Sequence, residues 1–417
     1  MSPATLQLDV AVARPAATAR PVPKTPRLNR ALLLLTCLSV AAATMRELRL
    51  EVGGLLVPLN VLPVLVALPA IVLQTFNRFP RNVRVALLVF TGLFCLSVLR
   101  YGSSFGDLVK MLSSVLTIFA VALMMRRAED FALGTVALCI ALLVANLNGI
   151  RVGYVDYVGY KPLGDLANKN AYSLYALPIA LVAGFTLLHF RTRLVTRAIV
   201  AAAIVSTTFV LFNGANRSGW GGMLLIAALL AVQTRRWRAL FTVAGLTLIS
   251  YGAFAWLGSS QTLDYRIQQT RDGYASDELR WNMLLKALEV ASENPILGVT
   301  PQELGYEMAR RLNAQLDRVD THNFIAYIAA GSGFPALFAL LAVALTLWRR
   351  PFPLIAENRA ASDLLRMLCL LFVFRGLFSR EIFFVGPFPI ALGLSVGLLM
   401  VSTEEAQRRA SAAQTAA

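Results

Sequence analysis

The chain has two histidines, His189 and His322. His322 stands in Thr321-His322-Asn323, directly after the longest polar stretch and at the head of a long apolar run. Imidazole titrates near neutral pH, so it is the side chain best suited to removing a proton there. The alternative is a histidine that merely marks the interface where a membrane helix begins. His189 lies beside Arg191-Thr192-Arg193 and reads as interfacial filler. Arg217 sits in "FNGANRSGW", a short turn between two apolar runs, where a charge is costly unless it is paired or used. Arg280 heads a run of helical periodicity. Guanidinium is always charged, and its fork of donors matches phosphate oxygens. Two such groups beside one histidine can hold a diphosphate while the base works. Against that, Arg217 also fits a snorkelling anchor, and Arg280 a surface residue paired with Glu278 or Asp277. The loop 149–170 adds Arg151, Lys161 and Lys169, which can greet an anionic head group or simply be solvated. Asn323, Lys161 and Lys169 complete the candidate set.

These residues must be positioned by membrane helices. The chain of 417 residues is 57% hydrophobic and 15% charged, with a mean hydropathy of +0.64, which places it among integral membrane proteins. Its apolar runs are continuous and not alternating, which selects helices over a barrel. Windows of about 19 residues predict twelve spans. They are 30–45, 54–75, 83–99, 107–125, 131–148, 171–190, 194–213, 218–234, 239–257, 322–347, 362–378 and 382–401. "ALLLLTCLSVAAAT" follows Arg27 and Arg30 in the manner of a signal peptide, but the charged leader is long for one, and the segment reads as an uncleaved first span. Residues 1–28 have the composition of a disordered cytoplasmic tail; residues 402–417 read the same way, as a second cytoplasmic tail. The predicted architecture is thus an all-α membrane domain over 29–401.

Basic residues concentrate in alternate connections, around Arg81, Arg126, Arg193, Arg236 and Arg349. By the positive-inside bias those connections are cytoplasmic, as are both termini. The same bias accounts for a net charge of +16 without nucleic acid, for which no compact basic domain exists. The opposite face then carries the one large hydrophilic insert, 258–321. Within it, Trp281, Leu284, Leu285 and Leu288 form a helical stripe, expected to face down onto the bundle. Thr300, Pro301 and Glu303 have the spacing of a capping box with a favoured proline, so a second short helix follows. Cys37, Cys95, Cys139 and Cys369 all fall inside apolar runs and suggest neither disulfides nor a thiolate metal site. No phosphate-binding glycine loop, D-x-D pair or His/Asp/Glu cluster of ligand spacing occurs, so neither nucleotide hydrolysis nor a bound metal is indicated.

The ordered set "NRSGW" (216–220), "LRW…NPILGV" (279–299) and "THNF…GSG" (321–333) resembles the O-antigen ligase and polymerase superfamily of bacterial inner-membrane glycosyltransferases. "LANKNAYSLYALPIAL" (166–181) is similar to that superfamily's asparagine-bearing start of a membrane helix. Twelve spans with a single large outer loop look most like the ligase. The resemblance implies transfer of O-antigen polysaccharide from undecaprenyl diphosphate to lipid A-core on the periplasmic face of the inner membrane, with no cofactor, metal or ATP. It maps the family's histidine onto His322 and its arginines onto Arg217 and Arg280. Many relatives carry a glutamate nine residues after the histidine, where this chain has Gly331. Polymerases and protein O-oligosaccharyltransferases share the chemistry with other acceptors. A transporter of lipid-linked glycan would instead need intramembrane charges such as Asp107, Lys110 and Arg375.

Overall fold

A computed structural model describes residues 27–43, 50–52, 55–57, 78–100, 105–152, 169–213, 217–234, 245, 275–313, 319–349, 351–380, 382–384 and 387–416. Apart from one short hairpin and the connecting turns, these residues are helical. The helices are α1 (Arg27–Ala43), α2 (Arg81–Arg100), α3 (Phe105–Met124), α4 (Ala128–Val152), α5 (Lys169–His189), α6 (Leu194–Asn213), α7 (Arg217–Thr234), α8 (Ala275–Glu293), α9 (Pro301–Arg311), α10 (Phe324–Trp348), α11 (Arg359–Gly376) and α12 (Pro387–Ala416). Seven are long and apolar enough to cross a membrane: α2 to α6, α10 and α12. Parts of α1 and α7 are shorter apolar helices. The chain is therefore an all-α, multi-span membrane protein. Ten predicted spans coincide with described helices, and the span expected at 239–257 lies outside the described residues apart from residue 245.

The span expected at 54–75 is partly corrected. Leu55–Val57 is a strand, β2, paired antiparallel with β1 (Leu50–Val52) in the register Leu50 to Val57. Residues 58–75 lie outside the described set. Hydropathy drew the whole stretch into a span, yet Gly53-Gly54 between two short apolar runs is itself a hairpin signal. The tail is corrected too. α12 continues through 402–416, where composition had suggested disorder. Arg78 grips Glu404 with two hydrogen bonds, Nε at 2.7 Å and Nη2 at 2.8 Å, and Arg408 pairs with Glu404 one turn on (3.7 Å). The alanine-rich sequence between and beyond these charges favours helix. Of the N-terminal tail, residues 1–26 lie outside the described residues, and α1 begins at Arg27.

α12 is the axis of the bundle, buried from Pro387 to Thr403. It approaches α3 closely because Gly393 and Gly397 face it. A Cβ on Gly393 would lie 2.8 Å from Val121 Cβ, and one on Gly397 2.6 Å from Met125 Sδ. Lipid supplies no hydrophobic drive between helices, so small residues at this spacing are what let two backbones gain contact.

α10 is two helices joined at a break. Gly333 has φ 83° and ψ 167°, and Pro335 lacks an N–H while its ring displaces the carbonyl four residues back, at Gly331. The segment between α8 and α9 occupies this break. Val299 N donates to Ala330 O (2.9 Å), Thr300 N to Gly331 O (3.0 Å), and Phe334 N returns to Pro295 O (2.8 Å). Ser97 Oγ of α2 reaches the carbonyls of Leu297 (2.7 Å) and Gly331 (2.9 Å). From that point α2 runs antiparallel along α10, lining with Ala339 and Ala342 a groove that starts at Arg81.

Two glycines make the docking possible. Gly298 has φ +67°, and a Cβ there would meet the carbonyl carbon of Gly331 at 2.4 Å. A Cβ on Gly333 would meet Ile296 O at 2.2 Å. Gly298→Ala and Gly333→Ala should each destabilise the protein by about 2 kcal/mol or more, through backbone strain and clash together. Gly92→Ala, in α2 with nothing within 4 Å, should not lower the thermal midpoint of the detergent-solubilised protein. Wild-type melting of Gly298→Ala would contradict this docking.

Candidate functional site

α8 packs on α10, and the segment that follows α8 enters the break. α9 starts there, with Thr300 as its cap: Thr300 Oγ1 accepts from Glu303 N (3.2 Å), and Pro301 takes the first turn. Thr300 N in turn donates to Gly331 O (3.0 Å), which ties the cap of α9 to the break. Gly331 itself is tightly placed, since a Cβ on it would lie 3.3 Å from Pro301 Cα. Gly331 is thus a backbone acceptor pressed against α9.

The face of α8 is also corrected. Met283, Ala287, Val290 and Ala291 are buried, whereas Trp281, Leu285 and Leu288 are 60%, 46% and 42% exposed. The apolar arc of this helix is broad, and the protein covers the half that the stripe did not include. Arg280 is half-buried and lies on the covered side, three, seven and eleven residues before Met283, Ala287 and Ala291. The far end of α8 is clamped to α9 by Arg311. It bonds Glu293 (Nη1–Oε1 2.9 Å, with a second bond from Nη2) and Glu307 (3.2 Å), and lies 3.6 Å from Glu289. The bonds to Glu293 hold the Arg311 guanidinium well above its ordinary pKa and pull the Glu293 carboxyl down.

After α9 the chain is led back by Val319 N, which donates to Gly305 O (2.9 Å). Asp320 to Asn323 then form the head of α10. Asn323 is its N-cap, with Oδ1 accepting from Ala326 N (3.0 Å). His322 adopts φ +50°, a left-handed conformation that costs an L-residue roughly 1–2 kcal/mol. Its N–H donates to Asp320 Oδ1 (3.1 Å), and its Nδ1 lies 3.8 Å from Asp320 Oδ2. Arg380 Nε is 3.2 Å from Asp320 Oδ1, and its guanidinium lies 5.7 Å from the Tyr327 ring centre. All three side chains, His322, Asp320 and Arg380, are about one-third exposed.

Below this edge is an aromatic floor. The Phe324 ring meets Tyr327, Phe372, Phe383 and Phe384, and the last two reach Phe90 and Phe94 of α2. Other helix ends converge here. A Cβ on Gly376, at the end of α11, would touch Phe324 Cβ at 3.5 Å, and one on Gly221, in the second turn of α7, would touch the Phe374 ring at 3.1 Å. Arg217 opens α7 one turn before Gly221, and Arg375 closes α11 as a fully buried side chain.

The structure thus brings the start of α7, the end of α11 and the head of α10 into one region. The side chains of Arg217 and Lys169 and the whole of Lys161 lie outside the described residues, although Arg217 and Lys169 are the first residues of α7 and α5. His189 is elsewhere, stacked on Phe185 at 4.3 Å with Nε2 3.3 Å from Gln233. Among the described residues, no three His, Cys, Asp or Glu side chains gather as a metal would need. Sequence reasoning missed Asp320 and Arg380, which are sixty positions apart, and read Arg375 as an intramembrane charge that a transporter would need. The one local signal was the Asp two residues before His322, a spacing that suits a side chain bonding its own backbone.

Residues 179–341, from within α5 to the second half of α10, match the model of a family described as O-antigen ligase. No curated protein matches the chain. The match takes in Arg217, Arg280, His322 and the whole break in α10.

Asn323 has a structural duty that can be separated from chemistry. Asn323→Ala should cost about 1 kcal/mol of stability as a lost helix cap, and Asn323→Asp or Asn323→Ser should restore it together with activity. An Asn323→Asp protein of normal stability but no activity would contradict a purely capping role.

Proposed function

We propose that this chain, which matches the O-antigen ligase family over residues 179–341, is a ligase-type glycosyltransferase whose residues carry out the transfer as follows. Members of such a family are ligase-type glycosyltransferases that act on lipid-linked polysaccharide. The donor is O-antigen on undecaprenyl diphosphate and the acceptor is a hydroxyl of lipid A-core. The reaction takes place on the periplasmic face of the inner membrane, with twelve spans and both termini cytoplasmic.

The observation that carries this reading is the placement of His322. It is held in a strained conformation at the edge of a region where α7 starts with Arg217, α11 ends with Arg375, and Arg380 follows α11. Strain of this kind persists only where surrounding structure over-determines it. Arg280 is half-buried on a helix that packs against α10, and this reading takes it to face the donor with Arg217. Arg217 and Arg280 grip the diphosphate of the donor by forked hydrogen bonds and stabilise its charge as it leaves. Buried Arg375 adds a fixed positive field nearby. Lys161 and Lys169 attract the anionic head group during approach. His322 removes the proton of the acceptor hydroxyl. The oxygen attacks the anomeric carbon from the face opposite the diphosphate, and the configuration inverts. Arginines take the place that a metal holds in other phosphate-leaving reactions, and no cofactor is required.

In a purified transfer assay, His322→Gln should lower turnover about 10²–10⁴-fold while donor binding survives. Arg217→Lys and Arg280→Lys should each lose most activity despite their equal charge, because an ammonium cannot form the fork. His189→Ala should match wild type. Transfer by His322→Gln within a few-fold of wild type would remove its assignment as base.

A further inference from the structure

The mechanism above leaves Asp320 and Arg380 unused, yet they are the groups in closest polar contact with His322. Both carboxylate oxygens of Asp320 have defined surroundings. Oδ1 takes the His322 amide proton at 3.1 Å and faces Arg380 Nε at 3.2 Å. Two donors on one oxygen fix the carboxylate, and Oδ2 is left directed at the imidazole, 3.8 Å from Nδ1. Arg380 also lies over the Tyr327 ring, 5.7 Å from its centre. A chain of orientation therefore runs from the α10 ring to Arg380, to Asp320, to the imidazole.

We propose that Asp320 is a positioning residue for His322, and that Arg380 acts on the reaction through Asp320 and not by gripping the donor. The proposal rests on the reading of His322 as the base. A neutral imidazole carries one N–H. With that hydrogen on Nδ1, facing Asp320, the lone pair on Nε2 points away toward the open edge. The acceptor hydroxyl gives its proton to Nε2. Its oxygen lone pair forms the new bond to the anomeric carbon, and the bond from that carbon to the diphosphate oxygen breaks with its electron pair on the diphosphate. The imidazolium formed in this step lies against an ionised carboxylate, which stabilises it without taking the proton. A base oriented by a third group is the general arrangement of such catalysis.

The test is a set of variants assayed for turnover and for donor KM, in two backgrounds. Asp320→Asn keeps an oxygen to accept the His322 amide but loses the charge. It should reduce kcat roughly 10–100-fold with donor KM nearly unchanged. In the His322→Gln background the same change should cause no further loss, whereas a merely structural role would lower the rate in both. Arg380→Gln, which leaves Asp320 in place, reads the dependence independently. Combined with Asp320→Asn it should be no worse than Asp320→Asn alone. The proposal is overturned if Asp320→Asn turns over at the wild-type rate while His322→Gln is inactive. Multiplying losses in the double variant, or a loss on Arg380→Gln that falls mainly on donor KM, would also overturn it, since each makes Arg380 a donor contact. Near-wild-type transfer by His322→Gln would instead sink the base assignment itself, and the positioning role with it.

Discussion

Three backbone hydrogen bonds hold this molecule's site in place. A membrane helix that breaks leaves carbonyls without partners, and lipid cannot supply any. In α10 the break at Gly333 and Pro335 creates that debt at Ala330 and Gly331, and Val299 N, Thr300 N and Ser97 Oγ answer it. The return bond from Phe334 N to Pro295 O closes the exchange. Because the partners are backbone atoms, side-chain identity matters here mainly as absence, which is why glycine occupies 298, 331 and 333. The ends of α8 and α9 are located by the same bonds, and Arg311 then ties those helices to each other.

From that fixed point the polar residues follow. The head of α10 is set by Asn323, and the left-handed turn at His322 is set by Asp320. Arg380 arrives from beyond α11, so the imidazole is framed by groups from two separate parts of the chain. The aromatic floor beneath them is continuous from α2 to the segment after α11. A polar edge above an apolar floor suits a substrate with a charged head and a hydrocarbon body. It also lets fixed cations act where water is scarce and charges interact more strongly.

Much of this was legible in the sequence because it depends on local pattern. Continuous apolar runs gave most of the long helices among the described residues, Thr300-Pro301 gave the start of α9, and His322-Asn323 gave the head of α10. What escaped depends on contacts between distant segments. Periodicity showed that α8 has an apolar side but not which half the protein covers, and the exposed half, Trp281, Leu285 and Leu288, was chosen. Hydropathy cannot see Glu404 held by Arg78, so the final turns of α12 read as tail. The "NPILGV" and "GSG" stretches were noticed as motifs, but their meaning, two backbones accepting each other, needs both in view at once. Asp320 and Arg380 likewise have no pattern that joins them before the chain folds.

The central claim is that this chain builds a glycosidic bond by direct displacement of a diphosphate, with protein groups alone as catalysts. The most direct measurement is transfer by the purified protein, in the presence of chelator, of a glycan of known anomeric configuration from undecaprenyl diphosphate. Lipid A-core, a second carrier-linked unit and a peptide would be offered in parallel, and the product linkage read by nuclear magnetic resonance. The account predicts a product on lipid A-core with the anomeric configuration inverted and the rate unaffected by chelator. Retained configuration, or loss of transfer on chelation that returns with added divalent metal, would contradict it.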